Sequence, residues 1–155
     1  MTADELDIVR VDPQDEDAVA CLRAYFAELN RRFAQGFDVT LSSDPEADSM
    51  RPPRGAFILI RHGDQSVACG GLKGHGTWGE VKRVWVANAL RGQGLARRLM
   101  ARIEDEARDL GMDVLRLDTN SALPEAVAMY RRLGWTEIPR FNDDPYPDVF
   151  FERQL

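Results

Sequence analysis

The chain has few cysteines and histidines, two of each in 155 residues. Cys21 and Cys69 lie far apart, with no Cys-x-x-Cys spacing and no nearby histidine pair, so the common metal-site patterns are excluded and no metal is predicted. We expect both thiols to be small buried side chains in a reducing, cytoplasmic environment. Cys69 also has no evident base beside it, which disfavours a covalent cysteine intermediate.

Long hydrophobic runs are also missing. No apolar stretch approaches the ~20 residues that cross a bilayer, and residues 1–10 are acidic and lack the apolar core of a secretory signal. Acidic residues outnumber basic ones by 26 to 20, for a formal net charge of −6, so general binding to nucleic acid or to an anionic membrane is not expected. The length suits a single domain over residues 1–155.

Apolar periodicity predicts an α+β fold, with helices packed on a mixed, mostly antiparallel sheet. Steps of three and four between apolar residues indicate helices, and short apolar runs between turn residues indicate strands. A loop or a short broken helix is predicted over 37–53, a loop over 141–148, and a glycine-rich turn over 73–79. The predicted strands are 6–11, 56–61, 66–72, 81–86, 114–117, 135–138 and 149–153; the predicted helices start at Asp12-Pro13 and end near Gly36, run from Gly94 to Gly111, and span 124–133.

The stretch from Glu80 to Met100 changes from strand to helix through Arg91-Gly-Gln-Gly94. A glycine-rich turn at a helix N-terminus exposes backbone N–H groups that have no partner in the helix, and the helix dipole adds positive potential there. Such a turn suits a phosphate or pyrophosphate, although a simple tight turn with solvated arginines is the alternative. A P-loop does not fit, and Arg97 stands where a dinucleotide fingerprint has its third glycine.

Three motifs in order resemble the GNAT superfamily of N-acetyltransferases. Arg91–Ala96 matches the signature Gln/Arg-x-x-Gly-x-Gly/Ala, Glu80–Val86 looks like the family's fourth strand, and Ala126–Trp135 is similar to its later helix and turn. The resemblance implies a GNAT-like fold in which one βαβ unit binds acyl-CoA. It also implies an acetyl-CoA-dependent N-acetyltransferase that needs no metal.

The resemblance assigns the coenzyme to the strand and to the turn. The backbone of Val84 and Val86, with Trp85 between them, is expected to pair with the pantetheine arm. Where the family commonly has an asparagine, seven positions before a tyrosine, this chain has Leu123, and Asn120 is the candidate substitute, with a turn or capping role as its alternative. The pyrophosphate is expected on the backbone amides of Arg91, Gly92, Gln93, Gly94, Leu95 and Ala96, with Arg97 as a neighbour.

Two residues are predicted to act in the transfer step. Tyr130 matches the tyrosine that family members often place near the CoA sulfur, and it would protonate the leaving thiolate; packing in the core is the alternative. An alkyl ammonium with a pKa near ~10.4 must lose a proton before it attacks. Glu80, at the start of the fourth strand, is the predicted base, with a water relay or an exposed structural glutamate as alternatives. His75 is expected to face solvent, with contact to Glu80 as the weaker option.

The expected reaction is direct attack, in a ternary complex, by the primary amine of a small molecule. The acidic segment 142–148 with Glu80 and Tyr146 favours a cationic amine, whereas Arg51 and Arg54 favour an acceptor with a carboxylate, such as an amino acid. Two other functions stay open: a non-catalytic CoA-binding sensor or scaffold, and a protein lysine or N-terminal acetyltransferase. Members of the family are often dimers, so a homodimer is expected by analogy.

Overall fold

The computed structural model describes residues 6–42 and 44–155. Within them, seven strands form one sheet in the order β1-β2-β3-β4-β5-β7-β6. Only β4 and β5 pair in parallel among the neighbouring strands described; the other pairs are antiparallel. The predicted α+β class is confirmed. The strands are β1 (Leu6–Val11), β2 (Ala56–His62), β3 (Gln65–Gly74), β4 (Trp78–Val86), β5 (Val114–Thr119), β6 (Thr136–Ile138) and β7 (Val149–Gln154), and the α-helices are α1 (Glu16–Arg32), α2 (Leu95–Asp109) and α3 (Pro124–Arg132).

Helices α1 and α2 cover opposite faces of the sheet, and β2 lies between them. Phe57 and Leu59 belong to the cluster that contains buried residues of α1, and Ile58 and Ile60 belong to the cluster that contains those of α2. Successive side chains of a strand point to opposite faces. A strand that is covered on both faces is therefore apolar at every position, which explains why the sequence shows this strand so clearly.

The first helix begins later than the sequence predicts. Asp12 was the expected cap with Pro13 in the first turn, but α1 starts at Glu16, with Asp15 in the cap position. The Asp12 carboxylate instead accepts a hydrogen bond from Arg51 Nε at 2.8 Å. The pairing with a distant arginine holds Asp12 in a preceding turn, and no local pattern could reveal that partner.

The predicted turn over 73–79 is also wrong in extent. Strand β3 continues to Gly74 and β4 begins at Trp78, so that Gly74 pairs with Gly79. A Cβ on Gly74 would lie 2.0 Å from the backbone oxygen of Arg54. Glycine is present here because another backbone approaches closely, which the sequence pattern does not distinguish from a turn.

A β-bulge interrupts β4 in its second half. Arg83 and Val84 together face Gly70 of β3, because the register shifts between the pairs on either side. Arg83 has a φ of +60°. The extra residue changes the direction in which the following side chains point, as bulges beside functional sites often do.

Strands β4 and β5 also separate from one another. Their pairing covers Trp78–Val81 on β4 and Val114–Leu117 on β5. Beyond Val81, β4 has no strand partner on that side among the described residues. The resulting cleft opens beside the bulge and beneath α3.

Candidate active site

Two cavities meet in this cleft. The larger, which we call the outer groove, has a volume of about 370 Å³ and extends along β4 to the start of α2. The smaller, which we call the inner cavity, has a volume of about 110 Å³ and lies between α1, the bulge and the 144–147 loop. The residues that line both are Tyr25, Leu29, Val84, Leu123, Ala126 and Tyr130.

The outer groove ends at the glycine turn before α2. Gly94 is the N-cap of α2 with a φ of +80°, and Gly92 has a φ of +81°. A Cβ on either would have no neighbour within 4 Å, so the backbone angle, and not a lack of space, requires glycine. Both glycines line the groove. The first N–H groups of α2 lack intrahelical acceptors there, and the helix dipole adds positive potential, so an anion can bind.

Arg91 and Arg97 contribute differently to the groove. The Arg91 guanidinium donates to both carboxylate oxygens of Glu28, at 2.6 and 2.7 Å, so its charge is already compensated. Arg97 is exposed and lines the groove, and is therefore a cation available to an anionic ligand. Gln93, predicted with them, is exposed and does not line it.

The long wall of the outer groove is formed by β4 and α3. Val84, Trp85 and Val86 line it, as do Leu95 and Ala96 at the start of α2. The peptide groups on the cleft side of β4 have no strand partner there among the described residues. An extended ligand chain with amide groups can pair with such an edge. The structure therefore brings most predicted coenzyme residues to one wall.

Asn120 lies elsewhere. It lines the inner cavity and not the outer groove. Its Nδ2 donates to the backbone oxygen of Tyr146 at 2.6 Å, and its Oδ1 accepts from the N–H of Ala122 at 2.8 Å. Both ends of the amide are occupied, which favours a role in holding the 146 loop. Leu123 stands at the boundary of the two spaces.

Tyr130 lies where the two cavities join. Its side chain is buried in the cluster under α2, yet its hydroxyl has no hydrogen-bond partner among the described residues. Burial raises the pKa of Tyr130 well above its usual range, and the negative charge of Asp118 raises it further. The hydroxyl therefore keeps its proton at neutral pH and can donate it. The ring packs against Trp135 and Phe151, as the alternative of core packing expects, and the residue also lines both cavities.

Tyr25 of α1 also lines both cavities, and the sequence had not singled it out. Burial raises its pKa well above the ordinary range, and nearby Tyr130 and Asp118 add to the effect. The available signal was its spacing: Tyr25 lies three residues after Leu22 and four before Leu29, on the apolar face of the helix. A tyrosine on such a face brings a hydroxyl into a buried region.

Carboxylates dominate one end of the inner cavity. The Lys82 ammonium lies 3.2 Å from Asp118, 3.3 Å from Glu80 and 3.8 Å from Asp144. Burial lowers the pKa of Lys82, but these three negative charges outweigh the effect and raise the pKa above its usual value. One cation among three carboxylates leaves this end negative.

Glu80 is buried rather than exposed at a strand end, so the exposed alternative is wrong. It hydrogen-bonds to His75 Nε2 at 2.9 Å. His75 is therefore partly exposed, as expected, and also contacts Glu80, which was the other option. Burial raises the pKa of Glu80, but the Lys82 charge and the bonds from His75 and Lys82 bring the pKa below its ordinary value. Glu80 does not itself line the inner cavity; Lys82 and Asp118 do.

A different arginine from those expected reaches the inner cavity. Arg51 pairs with Asp12 and with Asp48, and Arg54 donates to a backbone oxygen of β3; neither lines the cavity. Arg83 does line it. Burial lowers the pKa of Arg83, partly offset by Asp44, but a guanidinium remains charged at neutral pH.

Aromatic side chains lie over the inner cavity. Tyr146 lies against Phe37, with ring centres 4.6 Å apart, and stacks on Phe33 at 5.9 Å. Its hydroxyl accepts a hydrogen bond from the Asp38 N–H at 2.7 Å. We call Phe33, Phe37 and Tyr146 the aromatic cover.

The fold and this pair of cavities define an acyltransferase of the acetyl-CoA-using kind, and similarity to known proteins agrees. The chain matches the family model of the acetyltransferase (GNAT) family over residues 12–135. It is 33% identical over 146 residues to an IAA acetyltransferase of Azospirillum brasilense, covering 90% of this chain and 92% of that one. It is 28% identical over 138 residues to the uncharacterized N-acetyltransferase YjgM of Escherichia coli, covering 83% and 81%.

The protein belongs to the GNAT acetyltransferase family. Its fold matches the crystal structure of an acetyltransferase from Streptococcus agalactiae with a TM-score of 0.83, at 16% identity and over 97% and 99% of the two chains. The predicted family and enzyme class are thereby confirmed, and acetyl-CoA is the cosubstrate that this family uses. None of the helices in the described part of the chain is long and apolar enough to span a membrane.

Proposed function

We propose that the protein transfers the acetyl group of acetyl-CoA to the primary amine of a small molecule, by direct attack in a ternary complex. The observation that carries this proposal is the junction at Tyr130. One space that suits a coenzyme and another that suits a polar acceptor are both lined by Tyr130. The pyrophosphate would bind at Gly92–Ala96 with Arg97 beside it, and pantetheine along Val84–Val86.

The bond changes follow from this arrangement. The neutral amine attacks the thioester carbonyl, a C–N bond forms, and the C–S bond breaks to leave a thiolate. Tyr130 gives its proton to that sulfur, and the raised pKa that burial causes keeps the proton on the tyrosine until the thiolate develops. The N–H proton that the attacking nitrogen loses on becoming an amide then restores the tyrosine hydroxyl. A backbone N–H of β4, at Val84 or Val86, would stabilise the charge on the carbonyl oxygen.

The amine's proton leaves through the acidic end of the inner cavity. Glu80 is the proposed base. Because it lies behind Lys82 and does not line the cavity, it would accept the proton through water, and His75 would connect it to solvent. Asp118 lines the cavity and is the alternative acceptor of the same proton. The lowered pKa of Glu80 makes it a weak base, but it also ensures that the acceptor form of Glu80 is present at neutral pH.

The volume and the cover of the inner cavity support a small acceptor. About 110 Å³ beneath three aromatic rings suits a compact molecule better than a protein segment. The carboxylates around Lys82 support an acceptor that arrives as an ammonium. A protein lysine would instead need an open channel to the junction.

The test is turnover with acetyl-CoA and a panel of small amines, followed by release of free thiol and by the mass of the product. Tyr130→Phe should lower kcat roughly 100-fold and leave the dissociation constant of acetyl-CoA unchanged. Tyr25→Phe is the matched control, since Tyr25 lines the same two cavities, and kcat should fall far less. Binding of acetyl-CoA without turnover on any amine would instead indicate a sensor, and turnover only on proteins would indicate a protein acetyltransferase.

A further inference from the structure

Arg83 is a buried cation without a carboxylate partner. The residue is 9% exposed, and its Nη1 has no hydrogen-bond partner among the described residues. Its Nη2 donates to a neutral acceptor, the backbone oxygen of Asp44, and its guanidinium lies 5.4 Å from the ring centre of Phe26. Buried charges are normally paired, and leaving one unpaired is costly. The fold thus holds a cation that lines the inner cavity and lacks a direct counter-ion there.

The backbone at Arg83 is also unfavourable. Its φ of +60° lies in the left-handed region, where residues with a side chain are strained, whereas seven glycines in the described part of the chain adopt a positive φ without this cost. A strained backbone and an unpaired buried charge both lower the stability of the folded protein. Both costs fall on the same residue, in the wall of the inner cavity, and a bound ligand can offset them.

Among the described residues, the other charged side chains that line the cavity are Lys73, Lys82, Asp44, Asp118 and Asp144. Lys82 cannot serve as a free cation, because Glu80, Asp118 and Asp144 surround it. The inner cavity therefore has a negative part around Lys82 and a positive part at Arg83. A ligand that carries one positive and one negative group matches both.

We propose that Arg83 binds a carboxylate of the acceptor, so that the acceptor is a small molecule with both an amine and a carboxylate, as in an amino acid. This inference rests on the proposed function and narrows its acceptor class. The ammonium is drawn toward the carboxylates around Lys82 and loses its proton there. The acceptor's carboxylate supplies the partner that Nη1 lacks, and the planar guanidinium suits the two oxygens of that group.

The first test needs only the wild-type protein. Pairs of acceptors that differ solely in a carboxylate or a carboxamide, such as an amino acid and its amide, are compared by kcat/KM. The carboxylate member should be preferred by roughly 10- to 100-fold, as expected for a hydrogen bond to a charged group. Equal use of both members, or preference for the amide, overturns the inference while leaving the proposed function intact. Absence of turnover with every amine overturns the proposed function itself.

The second test removes the guanidinium. Arg83→Gly suits the positive φ, so the bulge can persist, and the preference for carboxylates should fall to near one. Added guanidinium ions should restore part of the rate with carboxylate acceptors only. Arg51→Gln is the matched control, because Arg51 does not line the cavity, and it should keep the full preference. An Arg83→Gly protein that retains the preference overturns the inference.

The thermal midpoint separates this role from a structural one. If Arg83 serves a ligand, Arg83→Gly should lose the preference without loss of thermal stability, because it relieves strain and removes a buried charge. If the arginine serves the fold, the midpoint and the activity with both acceptor types should fall together, which contradicts the proposal. Acetyl-CoA affinity should stay unchanged in every variant, since Arg83 does not line the outer groove.

Discussion

At the scale of single residues, the burial and the charged partners of Glu80 determine how its contribution to stability depends on pH. It is 6% exposed and bound to His75 and Lys82. Its pKa in the folded protein lies below the unfolded value of about 4.3. The carboxylate therefore contributes its full stabilisation above that pH, and the contribution is lost as the pH falls through the lower folded-state pKa.

We therefore predict that the cost of Glu80→Gln depends on pH. At pH 7 the variant should lose about 1–3 kcal/mol in free energy of unfolding, because a charged hydrogen-bond network is broken, and the difference should shrink as the pH falls below 4. Urea unfolding across this range measures it. Glu137→Gln is the control, since Glu137 forms an exposed pair with Arg131 and should differ little from wild type at any pH. If the loss of unfolding free energy in Glu80→Gln were the same at every pH, the lowered pKa of Glu80 would be contradicted.

Residues that belong to a local motif could be predicted from the sequence. Tyr130 and the glycines of the turn, which line the cavities, were singled out because a helix or a turn fixes their spacing to their neighbours. Arg83 was not found, because its importance depends on a bulge and on an unpaired guanidinium, and neither leaves a local pattern. Arg51 and Arg54 carry the same charge, but distant partners hold them outside the cavity.

At the scale of elements, the start of α2 should matter for the coenzyme more than for the fold. Gly94 and Gly111 flank the two ends of the helix with φ of +80° and +82°, and a Cβ on either has open space. Alanine at each should cost about 1–2 kcal/mol of stability through backbone strain. Only Gly94→Ala should also weaken the binding of acetyl-CoA, by at least about 10-fold, because the backbone strain displaces the amides at the anion site.

Calorimetric titration with acetyl-CoA, together with unfolding curves, measures both quantities for the pair of variants. Gly111→Ala matches the strain and the helix but lies outside the groove. Equal affinity in the two variants would mean that the turn before α2 does not hold the pyrophosphate. Loss of affinity in Gly111→Ala alone would point to the opposite end of the helix.

Strand and helix types were predictable, but some of their limits were not. Buried β2 and amphipathic α2 carry strong periodic signals. The β3–β4 hairpin was assigned too long a turn, because Gly74 and Gly79 serve close packing within the strands. The pairing of β4 with β5 ends at Val81 and Leu117, and no pattern within either strand marks that end.

At the scale of the whole molecule, the site combines segments that are far apart in sequence. Tyr25 comes from α1, Lys82 and Val84 from β4, Asp118 from β5 and Tyr130 from α3. All seven strands, from β1 to β7, belong to one sheet. The family match covers residues 12–135, and a single domain over 1–155 remains a proposal. Patterns along the sequence identified two of these five residues.

The aromatic cover joins segments that are distant in sequence. The N–H of Asp38, next to Phe37, donates to the hydroxyl of Tyr146, which lies 108 residues further along the chain. We predict that Tyr146→Ala opens the inner cavity, raises KM for a small acceptor up to about 10-fold through loss of ring contacts, and admits bulkier amines. Steady-state kinetics with acceptors of increasing size measures this. Phe141→Ala is the control, an aromatic in the same loop that packs on Phe150 and does not line the cavity.

Acetyl-CoA affinity should be unchanged in both variants, because neither side chain lines the outer groove. The predicted change therefore concerns selection of the acceptor alone, and it should be seen in KM for the amine and in the range of amines accepted. If Tyr146→Ala kept the wild-type limit on acceptor size, the rings would not bound the acceptor, and the amine would have to enter past β5 on the side of Asp118.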